Sequence, residues 1–219
     1  MKPLIIYCYD AYCGWCYGFS NVMKEIAAEY NSSVDIEVLS GGMILPDKPT
    51  HIRATAGYIL KAYPNVEKTT GIVFGPDYLW HIKHAEESDW YPHSEKPAIA
   101  LCILKEKMPD QQVAIASALQ YALHFEGRDL TDDEAYRALL EEFKMDATAF
   151  FTDLHSEVYK QKAYEEFGVV KQLQVTGYPT VLLQADETKF YLIARGYTNF
   201  QQMRERIDEV LLTLTSKYL

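Results

Sequence analysis

The chain has 219 residues, 48% of them hydrophobic, with a formal net charge of -10 at pH 7 and no low-complexity stretch. That content suffices for one sizeable core; the acidic balance, offset by no local Lys/Arg run, repels phosphate backbones and anionic lipid and excludes nucleic acid and membrane as expected partners. No apolar stretch approaches the roughly 18 residues of a membrane span, and the first ten residues lack the length and cleavage pattern of a signal peptide, so the expected compartment is the cytoplasm.

Residues 4 to 9 are β-branched and aromatic and predict a short buried strand running into a loop at Asp10, Ala11 and Tyr12. A helix follows over residues 14 to 30, where Phe19, Val22, Met23, Ile26, Ala27 and Tyr30 repeat at helical spacing. Residues 34 to 40 alternate and stop at Gly41-Gly42, a second strand. From about 50 to 156 the pattern is helical, with start signals at Asp110, at the box Thr131-Asp132-Asp133-Glu134 and at Asp146. A further helix runs through Phe167. Two β-rich runs, 180 to 184 and 189 to 194, flank a turn at Asp186-Glu187-Thr188, and a last helix opens with the box Thr198-Asn199-Phe200-Gln201. The order βαβ, helical block, α, ββα predicts an α/β fold with a core from residues 1–48 and 156–219 and an inserted helical subdomain from 49–155.

Four cysteines, at positions 8, 13, 16 and 102, are too few for a disulfide scaffold in a chain of this length. Two of them form Cys13-Gly14-Trp15-Cys16, just after a predicted strand and at the start of a predicted helix. Thiol-disulfide exchange needs a thiolate to attack and a second thiol near enough to release the mixed disulfide. Free N-H groups and the dipole at a helix N-terminus stabilise a thiolate placed there, which makes Cys13 the candidate nucleophile and Cys16 the resolving thiol. A CxxC is also half a zinc site, and His81 with His84 supplies two further ligand types; but zinc knuckles set their cysteines on tight turns, so redox chemistry without metal is the expected use. Cys8 and Cys102 lie in apolar runs and are expected as small buried hydrophobes.

The stretch Asp10-Ala11-Tyr12-Cys13-Gly14-Trp15-Cys16-Tyr17-Gly18-Phe19-Ser20, with Gly177-Tyr178-Pro179-Thr180 before two strands, resembles the thioredoxin fold in its DsbA-like form with a helical insertion. It is similar to cytosolic DsbA-family proteins described as predicted protein-disulfide isomerases, with FrnE-like relatives. The resemblance covers essentially the whole chain. It implies a cis Tyr178-Pro179 bond against the CxxC, a substrate segment paired with the Tyr178 backbone, and a substrate-binding rim of Tyr12, Trp15, Tyr17, Tyr178 and Pro179. It also implies an enzyme that reduces or isomerises protein disulfides, with cysteine-bearing substrate proteins and glutathione or a thioredoxin-type reductant as partners and no cofactor. Tyr7 stands where thioredoxin buries an acid, and the Gly14-Trp15 centre lacks the histidine of the strongly oxidising DsbA site, so a more reducing couple is expected. Two alternatives stay open: a glutathione-dependent transferase or isomerase of the kappa-class type, and a peptide-binding chaperone with incidental redox activity.

Overall fold

A computed structural model describes residues 2–215; Met1 and the last four residues of the expected core segment, 216–219, lie outside it. Strand β1 (Leu4–Tyr9) leads into helix α1 (Gly14–Tyr30) and then strand β2 (Asp35–Ser40). Helices α2 (Arg53–Thr70), α3 (Pro76–Lys83), α4 (Glu95–Lys107), α5 (Gln112–His124), α6 (Arg137–Glu142), α7 (Ala147–Leu154) and α8 (Glu157–Gln172) follow. Strands β3 (Thr180–Gln184) and β4 (Phe190–Arg195) and helix α9 (Phe200–Thr215) complete the described chain. The sheet has the order β2-β1-β3-β4, with β1 parallel to β2, antiparallel to β3, and β3 antiparallel to β4.

The pleat of β1 divides the core. Ile5, Tyr7 and Tyr9 face α1 and join the large cluster that continues into the helices, whereas Ile6 and Cys8 face the other way and pack with Leu39, Val170 and Leu182 beside α8. Phe19, Met23 and Ile26 of α1 are fully buried, as the spacing predicts. Helix α9 lies against α1, where the Tyr30 hydroxyl donates to Asp208 at 2.6 Å.

Some predicted boundaries shift. Helix α8 continues past Phe167 to Gln172, because Val170 reaches the second cluster. Asp146 caps α7 as expected, accepting from the Ala149 N-H at 2.7 Å. At the other two boxes the cap moves by one residue: Asn199 rather than Thr198 accepts from the Gln202 N-H, and Asp132 rather than Thr131 accepts from Glu134. The Thr131 hydroxyl turns instead to Asp129. The start signal at Asp110 falls in a 3-10 turn, and α5 begins at Gln112.

Candidate active site

Cys13 is the N-cap of α1, with extended backbone angles (φ -81°, ψ 107°). Its own N-H donates to the Asp10 carbonyl at 3.1 Å, closing the turn that delivers β1 into the helix. Its sulfur accepts the Cys16 N-H at 3.3 Å, as a capping side chain does, and donates to the Tyr178 carbonyl at 3.5 Å. No acidic side chain stands in the first turn of α1 to oppose a thiolate there. Cys16 points into the core and exposes none of its surface, against 7% for Cys13. Burial, and after it the neighbouring Cys13, pushes the Cys16 thiol well above the usual cysteine range. Cys16 therefore keeps its proton, and of the two sulfurs that of Cys13 belongs to the less buried residue.

The Tyr178-Pro179 peptide bond is cis, and Pro179 is buried at the head of β3. The Tyr178 hydroxyl donates to the Gly41 carbonyl at 2.9 Å, and the Gly41 N-H donates to Tyr9 at 2.8 Å. Gly41 carries no side chain for a geometric reason: a Cβ there would fall 2.1 Å from the Tyr178 ring.

Trp15 and Tyr12 are half-buried and line, with Cys13, a cavity of about 320 Å³ against α2. Tyr17 does not join them, which corrects the expected rim. Its ring is 6% exposed, stacked 5.0 Å from His124 and edge-on to Phe74, and its hydroxyl donates to the Val73 carbonyl at 3.0 Å. The helix turn places Tyr17 toward α5 and the segment before α3, partners that sequence could not locate.

Asp10 is the residue that sequence reading passed over. Only 1% exposed, its carboxylate accepts the Tyr12 N-H at 3.0 Å, the Met43 N-H at 2.7 Å and the Ser94 hydroxyl at 3.0 Å. It thus ties the CxxC turn to the segment after β2 and to the start of α4. Burial raises its pKa, and those donors partly offset the rise. A lone acid between a buried strand and a CxxC was the available signal. Beneath the same turn, Gln120 donates to the Asp10 carbonyl at 3.4 Å and His124 Nε2 to the Ala11 carbonyl at 3.1 Å. Burial drives His124 down to about 3, so it is neutral, and its Nδ1 has no hydrogen-bond partner among the described residues. The Tyr7 hydroxyl is also buried without a partner of normal geometry; burial, then Cys16 and Cys13, push it up.

The other cysteines lie apart from this site. Cys8, on the far face of β1, is pushed up to about 12 by burial and Glu166. Cys102 is 3% exposed and donates to Glu166 at 3.3 Å; Glu166 also takes the Ser40 N-H and pairs with Lys105 at 2.5 Å. His81 stacks on Trp90 at 3.9 Å and bonds Ser88, and His84 pairs with Glu87. Among the described residues no group of three or more His, Cys, Asp or Glu is placed to hold a metal ion, and none of their helices is long and apolar enough to cross a membrane.

A strand running into a CxxC at a helix N-cap, faced by the residue before a cis-proline, defines a thioredoxin-type redox domain. The chain belongs to the DsbA-like thioredoxin domain family, whose model matches residues 4–208, and so stands among the thiol-disulfide oxidoreductases. It is similar in structure to a putative protein disulfide isomerase from Nitrosomonas europaea (TM-score 0.84, 23% identity, 97% of this chain and 99% of that one). It is also similar to the cytosolic disulfide reductase DsbM from Pseudomonas aeruginosa (TM-score 0.76, 24% identity, 96% and 99%), of which a second structure contains GSH. A 2-hydroxychromene-2-carboxylate isomerase shares the fold more distantly (TM-score 0.63, 14% identity, 98% and 97%). No curated protein sequence matches the chain at a significant level.

Proposed function

We propose that this protein reduces or isomerises disulfides in protein substrates in the cytoplasm, with Cys13 as nucleophile and Cys16 as resolving thiol. The observation that carries this reading is the setting of the Cys13 sulfur, which receives the Cys16 N-H at 3.3 Å at the head of α1 and faces the Tyr178 carbonyl at 3.5 Å. The Cys13 thiolate attacks one sulfur of a substrate disulfide, a mixed disulfide forms, and the other substrate sulfur leaves as a thiolate and is protonated. Cys16 then gives up its proton and attacks Cys13 Sγ, which frees the remaining substrate thiol and leaves a Cys13-Cys16 disulfide. Two electrons have passed to the substrate. Glutathione or a thioredoxin-type dithiol restores the reduced pair; in isomerisation a second substrate thiol attacks the mixed disulfide instead, and no external electrons are needed.

Substrate contact falls in this proposal to Trp15, Tyr12 and Tyr178, with Pro179 behind them and Tyr17 withdrawn. The helices between β2 and α8 are the insertion that supplies the facing wall. The DsbM structures, described as those of a cytosolic disulfide reductase and in one case containing GSH, support the reducing direction and a low-molecular-weight thiol as donor. The Cys16→Ser protein tests the proposal, since its Cys13 adducts have no resolving thiol. Incubated with cell extract, it should hold proteins of many sizes through Cys13, all released by dithiothreitol. Glutathione as the sole adduct points to the transferase-like alternative, and an empty trap overturns the redox reading.

A further inference from the structure

Two side chains of the inserted helices reach the redox turn from beneath, and the exchange steps described above use neither. Gln120 and His124 stand one turn apart on α5, so both project from the same face. Gln120 Nε2 donates to the Asp10 carbonyl at 3.4 Å and His124 Nε2 to the Ala11 carbonyl at 3.1 Å, two consecutive oxygens of the turn that carries Cys13. A carbonyl oxygen only accepts, so the single ring proton of the neutral His124 sits on Nε2. Tyr17, stacked at 5.0 Å, and Phe74 and Tyr78, edge-on at 5.4 and 5.0 Å, pack the ring in that orientation. The arrangement has a cost. Gln120 Oε1 and His124 Nδ1 are buried without a hydrogen-bond partner among the described residues, and apolar side chains of the same shape would avoid that. The negative end of α5 is muted beside them, because its last carbonyls, at Ala122, Leu123 and His124, accept from the N-H groups of Arg128, Gly127 and Gly75.

Resting on the assignment of Cys13 and Cys16 as the redox pair, we propose that Gln120 and His124 are positioning residues that favour the Cys13 thiolate, and with it the dithiol over the disulfide, through the two carbonyls they hold. Each N-H points the positive end of its dipole at the turn in a dry interior, where such dipoles act strongly. A thiolate at the head of α1 gains from that field in addition to the Cys16 N-H, whereas a disulfide carries no charge and gains nothing. The help comes without a cation, since His124 stays neutral throughout the range in which thiols titrate. Without its donor, the Ala11 oxygen, two residues before Cys13, would set an unpaired partial negative charge against the thiolate. The titratable groups acting on the pair are Tyr7 on β1, Asp10 on the turn and Tyr178 before β3. Tyr12, Tyr58, Tyr63 and Tyr78 line the cavity with Cys13. All of these stay in place when Gln120 or His124 is replaced.

The test compares the wild type with three variants. His124→Phe keeps a ring and removes the donor, His124→Gln restores a donor the same number of bonds from the backbone, and Gln120→Met removes the second donor. Two quantities are read by mass spectrometry: the midpoint of Cys13 alkylation against pH, and the fraction of Cys13-Cys16 disulfide at equilibrium with mixtures of reduced and oxidised glutathione. In the second, one glutathione disulfide is reduced to two thiols for each protein disulfide formed. His124→Phe should raise the midpoint by about 0.5 to 1 pH unit and move the equilibrium toward disulfide by about 3- to 10-fold, as expected from one hydrogen bond. Gln120→Met, which loses the longer bond, should shift both in the same direction by less, and it keeps the test open if the phenylalanine variant folds poorly. His124→Gln should return both to within about twofold of the wild type. Nitrogen NMR of the wild type should show His124 neutral and protonated on Nε2. A proton on Nδ1, shifts that are absent or reversed in His124→Phe and Gln120→Met, or a shift that His124→Gln does not undo, overturn the inference and leave the redox reading standing. A wild type that forms no Cys13-Cys16 disulfide in any mixture removes the redox reading, and this inference with it.

Discussion

Replacing Gly41 with alanine probes the link between the end of β2 and the residue that faces Cys13. The added methyl carbon would lie 2.1 Å from the Tyr178 ring and its hydroxyl oxygen, whereas non-bonded carbons settle at about 3.5–4.0 Å. The ring has to retreat by more than about 1 Å, and its hydrogen bond to the Gly41 carbonyl is lost. That bond contributes about 0.5–1.5 kcal/mol, and forced repacking of a half-buried ring costs about 1–3 kcal/mol, so Gly41→Ala should destabilise the fold by about 2–4 kcal/mol. The Tyr178 carbonyl, 3.5 Å from the Cys13 sulfur, moves with its side chain, so alkylation of Cys13 should change rate as well. Urea unfolding gives the first quantity and timed alkylation the second. A double-mutant cycle isolates the cause: in a Tyr178→Ala background the clash is gone, and Gly41→Ala should then cost less than about 0.5 kcal/mol. A cost that persists undiminished in that background refutes the argument.

Asp10→Ala leaves the Tyr12 and Met43 N-H groups and the Ser94 hydroxyl without their acceptor. A stability loss of about 2–4 kcal/mol and faster hydrogen exchange at the Tyr12 amide should follow; wild-type protection at that amide would show that Asp10 does not hold the turn. His124 gives a pH prediction. Its folded pKa, about 3, lies below the unfolded value, so the unfolded chain binds the extra proton first, and stability falls as the pH drops from about 6.5 toward 3, by up to about 1.4 kcal/mol per unit. Asp10, raised in the folded state, acts with the opposite sign. Comparing unfolding midpoints against pH for the wild type and His124→Phe separates the two, and identical slopes would mean that His124 does not contribute.

The parts of the molecule that sequence reading recovered are those whose partners are close in the chain. Strand β1, helix α1 and the cysteine pair at their junction follow from strand composition, helical spacing and a two-residue interval, all local. Caps slipped by one residue because Thr and Asn, or Thr and Asp, stand side by side, and only backbone geometry decides which oxygen reaches the free N-H. Asp10 escaped notice because two of its three donors come from Met43 and Ser94, far along the chain. Tyr17 was misplaced for the same reason: its distance from Cys13 in sequence is short, but the helix turns it toward His124, more than a hundred residues away. The acid-base group of Glu37, Lys105 and Glu166 was equally hidden, since each member comes from a different element.

The alternation of side chains along β1 acts as wiring discipline for the thiols. Tyr7 and Tyr9 point toward the redox helix while Cys8 between them points to the opposite face of the sheet, into the cluster with Leu39, Val170 and Leu182. A chain with a third cysteine only five positions before the proposed nucleophile risks closing the wrong ring whenever it is oxidised. The sheet prevents this by standing between the two sulfurs as an insulating layer one strand thick. Because the side-chain period is two, a slip of β1 by one residue would put Cys8 on the redox side and Tyr7 and Tyr9 on the other. On the proposed function, the five-residue register of β1 against β3, from Leu4 opposite Gln184 to Cys8 opposite Thr180, therefore also keeps an oxidised pair confined to Cys13 and Cys16.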